Sequence, residues 1–181
     1  LHKKNIDLYD KTLALRSNQE YGFRKDTEQI RNSEWHVREL PPDLVKRNIE
    51  ITGPGNNAKM VINAFNSKAD GYMLDLEDSM TPSWPNVINS HKNISDVVRG
   101  KLVDYKYDTN GKLVKKYAIN DGKLPSFFVR TRGLHMIEEH VLVDGEPMPA
   151  TFFDMGTFMY HNAKYLMEND KGPYMYIPKL E

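Results

Sequence analysis

The sequence has 181 residues, of which 39% are apolar, and its 25 basic and 25 acidic residues give a formal net charge of zero. This length suits one ordinary domain with a core. The balanced charge provides no electrostatic attraction to nucleic acid or to an anionic membrane, and the absence of cysteine excludes disulfides, thiolate metal sites and cysteine nucleophiles. No run approaches the roughly 18 apolar residues of a membrane-spanning helix. We therefore expect a soluble protein that binds neither nucleic acid nor membrane.

The N-terminal segment, residues 1–48, is highly charged and predicts one helix followed by an irregular arm. Its early apolar residues, among them Leu8 and Leu13, have a helical rather than an alternating spacing. Pro41-Pro42 predicts a short helical turn, because proline is tolerated in a first turn where its missing N–H needs no partner. We place a domain boundary after residue 48, where short apolar strands and Gly/Pro punctuation begin.

Residues 49–181 alternate between strand and helix. The predicted strands are 49–52, 71–76, 126–129 and 174–177, and the predicted helices between them are 58–65, 83–98 and one within 148–168. Parallel strands need crossovers of a dozen or more residues, and these spacings provide them. The pattern therefore predicts an α/β fold with a largely parallel sheet. Asn110-Gly111 suits a tight turn, so we also expect a β-hairpin insertion near 102–119.

The first predicted strand ends at Gly53-Pro54-Gly55. A dinucleotide-binding sheet has a glycine-rich phosphate turn at this place, and these three residues are too short and too rigid to serve as one. The sequence therefore argues against a dinucleotide-binding sheet.

Charged side chains follow three of the predicted strands. These residues are Asp75, Glu77 and Asp78, then Arg130 and Arg132, and finally Lys179 and Glu181. Because the carboxyl ends of successive parallel strands meet on one face, these charges are expected to converge on a pocket. Clustered carboxylates persist best beside a cation or a metal, and an arginine there can stabilise an oxyanion. A helix cap combined with a structural ion pair explains the same pattern equally well.

The two arginines after the third strand are expected to lie on one face, since Thr131 separates them. His135 and His140 lie in a segment that we interpret as a loop, and we do not include them among the candidate site residues.

Seven motifs, in order along nearly the whole chain, resemble malate synthase of the A type. They occupy residues 49–54, 59–64, 74–79 with 82–84, 129–133, 140–147, 161–164 and 178–181. The resemblance implies the first half of a TIM (β/α)8 barrel, strands one to four, over 49–181, preceded by an N-terminal helical clasp and arm over 1–48. It implies an acyltransferase of the glyoxylate bypass and tricarboxylic acid cycle, which condenses acetyl-CoA with glyoxylate and water to give malate and CoA. Magnesium is the implied cofactor, and the implied location is the cytoplasm, or the glyoxysome or peroxisome of a eukaryote.

The resemblance also assigns roles to four residues. Arg130 matches the catalytic arginine, which binds substrate and stabilises the enolate and the developing alkoxide. Glu77 and Asp78 match acidic residues that order water around the magnesium without binding it directly, and Ser79 matches a position near acetyl-CoA. The direct magnesium ligands and the catalytic aspartate belong to the later half of the family's barrel. We therefore expect the magnesium ligands to lie beyond Glu181, and we expect this chain alone to be inactive.

Two stretches depart from the family pattern. After Gly53-Pro54 the chain has Gly55-Asn-Asn57, slightly longer than the pattern, and the family's usual Arg-Pro-Arg-Gly-Trp-His reads Arg130-Thr-Arg-Gly-Leu-His135 here. Both arginines are kept. Two alternatives stay open: a non-catalytic half-barrel fragment that associates through its exposed sheet edge, and a related magnesium-dependent lyase acting on malyl or citramalyl thioesters.

Overall fold

The computed structural model describes residues 2–18 and 22–179, apart from the side chains of His2, Asn5 and Ile6. Within them the chain forms five α-helices and eight strands. The helices are α1 His2–Ser17, α2 Glu28–Asn32, α3 Ala58–Phe65, α4 Trp84–Val98 and α5 Ala150–Glu168. The strands are β1 Glu50–Pro54, β2 Gly71–Asp75, β3 Val103–Tyr107, β4 Leu113–Ala118, β5 Ser126–Arg130, β6 Ile137–Val143, β7 Glu146–Pro149 and β8 Tyr174–Tyr176. None of the helices described is both long and apolar enough to cross a membrane.

The chain divides into two compact units, Leu1–Leu40 and Pro41–Glu181. The first contains the predicted N-terminal helix, α1. In the second, the turn Pro42–Leu44 packs beneath the sheet, where the hydroxyl of Tyr174 donates to Asp43 Oδ1 at 2.7 Å and Ser126 Oγ donates to the Asp43 carbonyl at 2.7 Å. These contacts explain why the division falls eight residues before the predicted boundary. The assignment of 1–48 to a clasp stays a prediction.

The central sheet has four parallel strands in the order β1-β2-β5-β8, as the strand spacing predicts. Neighbouring strands are consecutive steps of the strand and helix alternation, which is how a (β/α)8 barrel begins. The pairing register places Pro54 beside Asp75, Asp75 beside Arg130, and Arg130 beside Tyr176. The carboxyl ends of all four strands therefore lie at one edge of the sheet.

The core lies between this sheet and the helices α3, α4 and α5. It is formed by Val61, Ile62, Phe65, Tyr72, Leu74, Leu76, Ile94, Val97, Val98, Leu102, Phe127, Val129, Phe158 and Leu166. β2 is covered on both faces, since four of its five residues are buried and the fifth is half-buried. A central strand with this burial is fixed on both sides, so its carboxyl end is a rigid platform for side chains.

β1 extends further than its sequence predicts. The expected stop at Gly53-Pro54-Gly55 was wrong, because Gly53 pairs with Leu74 and Pro54 with Asp75. Proline has no N–H for a second neighbour, but it is tolerated in an edge strand, and β1 is an edge of the sheet described here.

Two antiparallel hairpins flank the sheet. The pair β3 and β4 forms a hairpin within the segment 102–119, and the interpretation of this segment as an insertion stays a prediction. The pair β6 and β7 corrects the interpretation of the segment around His140 as a loop. Its turn residues Asp144 and Gly145 have φ angles of 53° and 82°, which suit a tight two-residue hairpin turn. The Asp-Gly pair was the sequence signal that could have indicated this hairpin.

Candidate active site

The segment 75–79 folds around the carboxylate of Asp75, which is only 2% exposed. Asp75 Oδ1 accepts from the backbone N–H of Glu77 at 2.9 Å, and Oδ2 accepts from the N–H of Ser79 at 3.1 Å and from its hydroxyl at 2.6 Å. An aspartate that accepts from backbone groups two and four residues later forms a compact turn. The turn holds Glu77 and Asp78 at the edge where the strands end. Sequence reasoning placed Asp75 among the charges at the expected pocket but gave it no specific role.

Five charged residues from three strand ends contact one another at this edge, and we call them the mouth cluster: Asp75, Glu77, Asp78, Arg130 and Lys179. Arg130 Nη2 donates to Glu77 Oε2 at 2.8 Å and to Asp78 Oδ2 at 2.5 Å, and Nη1 lies 3.6 Å from Asp75 Oδ2. Lys179 Nζ donates to Glu77 Oε1 at 2.6 Å and to Asp78 Oδ1 at 3.3 Å. The structure thus brings Glu77, Asp78 and Arg130 together. Glu181 lies outside the described residues.

The charges of the mouth cluster stabilise one another. Hydrogen bonds from Arg130, and then from Lys179, hold the pKa of Asp78 below its ordinary value. The pKa of Lys179 is raised, chiefly by its hydrogen bond to Glu77. Arg130 Nε is buried and has no hydrogen-bond partner among the described residues. The three carboxylates therefore fix the guanidinium without saturating its donors.

Ser79 lies at the wall of a pocket of about 610 Å³. The pocket lies beside the end of β1, the segment that follows β2, the start of α3 and the first three turns of α4. Its lining is largely polar and consists of Pro54, Asn56, Asn57, Ala58, Ser79, Met80, Thr81, Asn86, Asn89, Lys92, Asn93 and Asp104. Because the hydroxyl of Ser79 donates to Asp75, the pocket wall and the mouth cluster share one turn.

Arg132 lies in a different environment from Arg130. It is 2% exposed, and its Nε and Nη2 donate to the two oxygens of Asp154 at 3.1 and 2.9 Å, while Nη1 donates to Glu138 Oε2 at 2.7 Å. The expectation that both arginines share one face was wrong. β5 ends at Arg130, so the strand alternation stops there, and the chain turns Arg132 towards α5 and β6.

Two histidines complete this second group, which we call the buried cluster although the His140 side chain is 57% exposed: Arg132, Asp154, Glu138, His91 and His140. His91 Nε2 lies 3.4 Å from Asp154 Oδ1, and His140 Nδ1 lies 2.7 Å from Glu138 Oε1. Burial alone would raise the pKa of Asp154, but hydrogen bonds from His91 and Arg132 outweigh it, and the pKa lies below its ordinary value. The pKa of Glu138 is likewise lowered against the effect of burial by hydrogen bonds from Arg132 and His140. This paired arrangement is typical of a structural ion network.

The sequence of this chain is similar to those of known proteins. A family model described as "Malate synthase, TIM barrel domain" matches residues 126–181. The malate synthase of Myxococcus xanthus is 42% identical over 159 residues, which cover 88% of this chain and 28% of that protein. The glyoxysomal malate synthase of Candida tropicalis is 44% identical over 163 residues, with the same two coverages. Over 88% of its length, the chain is therefore similar to part of these malate synthases.

The match to a TIM-barrel model over 126–181 and the order of the four parallel strands agree with part of a TIM barrel. A "Bifunctional glyoxylate cycle protein" of Caenorhabditis elegans is also similar, 43% identical over 160 residues, which cover 88% of this chain and 16% of that protein. The chain spans 28% of the length of the bacterial and yeast malate synthases above. Four strands of eight do not close a barrel, in agreement with this partial coverage.

The residues described do not by themselves fit the magnesium ion that the malate synthase resemblance implies. No three histidine, aspartate or glutamate side chains in the described part of the chain are grouped so that they could hold a metal ion. Both oxygens of Glu77 and both of Asp78 already accept from Arg130 or Lys179. These two carboxylates are therefore engaged with cations of the chain itself.

Proposed function

We propose that the protein containing this chain is an acyltransferase that condenses acetyl-CoA with glyoxylate and water to give malate and CoA. The observation that carries the proposal is the position of Arg130 at the end of β5. Its guanidinium is held by Glu77 and Asp78, and its Nε is left without a partner among the described residues. The identity to malate synthases over 88% of the chain supports the same reaction.

The proposed role of Arg130 follows from the charge that the reaction develops. Removal of a methyl proton from acetyl-CoA gives an enolate, and attack on the aldehyde of glyoxylate gives an alkoxide. Donors fixed in advance stabilise such oxygens because they need no reorganisation when the charge appears. Glu77 and Asp78 provide that fixation by binding the guanidinium through Nη2. Arg130 would bind glyoxylate and stabilise both oxyanions.

Magnesium, when bound, would polarise the glyoxylate aldehyde as a Lewis acid. We propose that Glu77 and Asp78 support the ion from a distance, through water, because their oxygens already accept from two cations. We propose that the direct ligands, and the base that removes the methyl proton, come from the region of malate synthases that corresponds to positions after residue 181. No residue of this chain is assigned to either role.

Acetyl-CoA is proposed to bind near Ser79. The support is the place of Ser79 in the wall of the 610 Å³ pocket, next to the turn that holds the mouth cluster. We further propose that residues 1–48 act as the helical clasp, and that the protein works in the cytoplasm or, in a eukaryote, in the glyoxysome. The Candida tropicalis relative is a glyoxysomal malate synthase.

The proposal is tested on the full-length protein with acetyl-CoA, glyoxylate and magnesium. Release of free CoA and formation of malate, both dependent on glyoxylate, are the expected result. Cleavage of malyl-CoA or citramalyl-CoA without malate formation from acetyl-CoA would instead identify a thioester lyase. A natural protein of 21.0 kDa that catalyses neither reaction would identify a non-catalytic half barrel.

A further inference from the structure

Lys179 closes a ring of alternating charges in the mouth cluster. Two of its three carboxylates bind both cations: Glu77 accepts from Arg130 on Oε2 and from Lys179 on Oε1 at 2.6 Å. Asp78 accepts from Arg130 on Oδ2 and from Lys179 on Oδ1 at 3.3 Å. The two cations, which follow β5 and β8, are therefore coupled through the two carboxylates that follow β2.

The backbone at Lys179 supports a specific role for its side chain. Its φ angle is 52°, in the left-handed region that residues with a Cβ atom rarely adopt. Such conformations persist where surrounding interactions hold them, and they occur preferentially at functional sites. The ammonium that this conformation positions makes both of its described contacts with the mouth cluster.

The charge of the cluster depends on Lys179. With it, three carboxylates face two cations. Without it, Asp75, Glu77 and Asp78 would face Arg130 alone, and the surplus negative charge would lie within a few ångströms of the guanidinium. A small anion that binds Arg130 would be repelled by that surplus, since Coulomb forces over such distances remain substantial in a partly buried site.

We propose that Lys179 is a positioning residue that shares Glu77 and Asp78 with Arg130 and so leaves Arg130 able to bind a small 2-oxo carboxylate. In the proposed reaction, on which this inference rests, that anion is glyoxylate. Lys179 acts through the two carboxylates, while Arg130 makes the contact with the substrate.

The test replaces Lys179 in the full-length protein and compares the two substrates. For Lys179→Met we expect the KM for glyoxylate, and its Kd measured by calorimetry without acetyl-CoA, to rise by about tenfold. The KM for acetyl-CoA should change by less than about twofold, because the thioester carries no charge at its reacting carbon. Lys179→Arg keeps the positive charge and should recover most of the glyoxylate affinity. The side chain is 42% exposed, so the melting temperature should stay close to that of the wild type.

Lys123→Met is the matched control. Lys123 is an exposed lysine that lies 3.9 Å from Asp70, just before the amino end of β2, so this variant removes the same charge at the opposite end of the sheet. It should bind glyoxylate like the wild type.

Three results would overturn the inference in an active wild-type background. They are unchanged glyoxylate affinity in Lys179→Met, an equal loss for both substrates, and Lys179→Arg binding as weakly as Lys179→Met. If the methionine variant fails to fold, Lys179→Gln, which keeps a polar side chain, decides by the same criteria. A wild-type protein that forms no malate would overturn the proposed function instead.

Discussion

Arg130 and Arg132 lie two residues apart, yet they belong to clusters of opposite character. The Arg130 side chain is 16% exposed in the mouth cluster, whereas that of Arg132 is 2% exposed in the buried cluster. All three side-chain nitrogens of Arg132 donate to carboxylates, while Nε of Arg130 has no partner in the described chain. Residue type and ion pairing therefore do not distinguish the structural arginine from the candidate catalytic one. The two differ in whether a side-chain N–H group is left without a hydrogen-bond partner among the described residues.

The difference arises from the elements that supply the partners. The carboxylates of Arg130 come from the turn after β2, at an edge that is open to ligands. Those of Arg132 come from β6 and α5, which cover the strand end. The ion pairs of the buried cluster hold the segment that follows Arg130. They therefore stabilise the position of Arg130 in the mouth cluster.

The largest expected effect is on stability, in the buried cluster. Arg132→Met would leave Asp154 and Glu138 buried without their cation, and breaking such a pair costs about 3–5 kcal/mol. The free energy of unfolding of the full-length protein, measured with denaturant, checks this. Arg130→Met is the comparison and should cost less than half as much, because water reaches the exposed Asp78. Equal losses in the two variants would contradict the division into a structural and a catalytic arginine.

The next effect is on turnover, in the mouth cluster. Arg130→Lys should lower the turnover number by about 10²–10³, because an ammonium cannot reproduce the planar donor pattern at the developing oxyanion. Steady-state kinetics of the full-length enzyme measure the loss, and circular dichroism should show an unchanged fold. Turnover equal to that of the wild type would remove Arg130 from the catalytic residues.

Acid stability provides a further test of the buried cluster. The pKa values of Asp154 and Glu138 lie below their ordinary values of 3.8 and 4.5, so the stability that these groups contribute is present above those values. It is lost as the pH falls through the lowered values of the folded state. Glu138→Gln should cost about 1–3 kcal/mol at pH 7, because it removes a charged acceptor from Arg132. Its stability should then fall less steeply than that of the wild type on acidification.

The measurement is denaturant unfolding at several pH values between 7 and 3. Glu139→Gln, which changes the exposed neighbour of Glu138, is the matched control and should keep the wild-type profile. A Glu138→Gln variant with the same acid profile as the wild type would show that the buried cluster does not govern acid stability.

The smallest effect concerns Gly133, which lies beside both clusters. A Cβ atom there would approach the His135 ring to 2.5 Å and Glu77 Oε1 to 3.0 Å. The exposed ring can turn away and Glu77 needs to shift by only a few tenths of an ångström, so Gly133→Ala should cost less than about 1 kcal/mol. Turnover should fall by about two- to tenfold, less than the 10²-fold that a 1 Å misplacement can cause. Adding His135→Ala should restore stability but not turnover; recovery of both would contradict a link from Gly133 to Glu77.

The sequence predicted the sheet well, because strands such as 71–75 and 126–130 are apolar runs with clear Gly or charged boundaries. It also indicated which strand ends carry charge. It could not show that Arg132 turns away from Arg130, since that depends on where β5 ends and on Asp154, twenty-two residues later in α5. Nor could it show that Asp75 organises the turn, because local spacing alone does not reveal which of three neighbouring carboxylates accepts the backbone bonds.

The backbone N–H of Arg132 donates to Asp154 Oδ2 at 2.9 Å inside the buried cluster. This amide can exchange its hydrogen with solvent only when its bond to Asp154 of α5 breaks, so its exchange rate records that local opening. The hydrogen-exchange rate of the Arg132 amide therefore reports how often the buried cluster opens next to the mouth cluster. It can be measured without any substrate present.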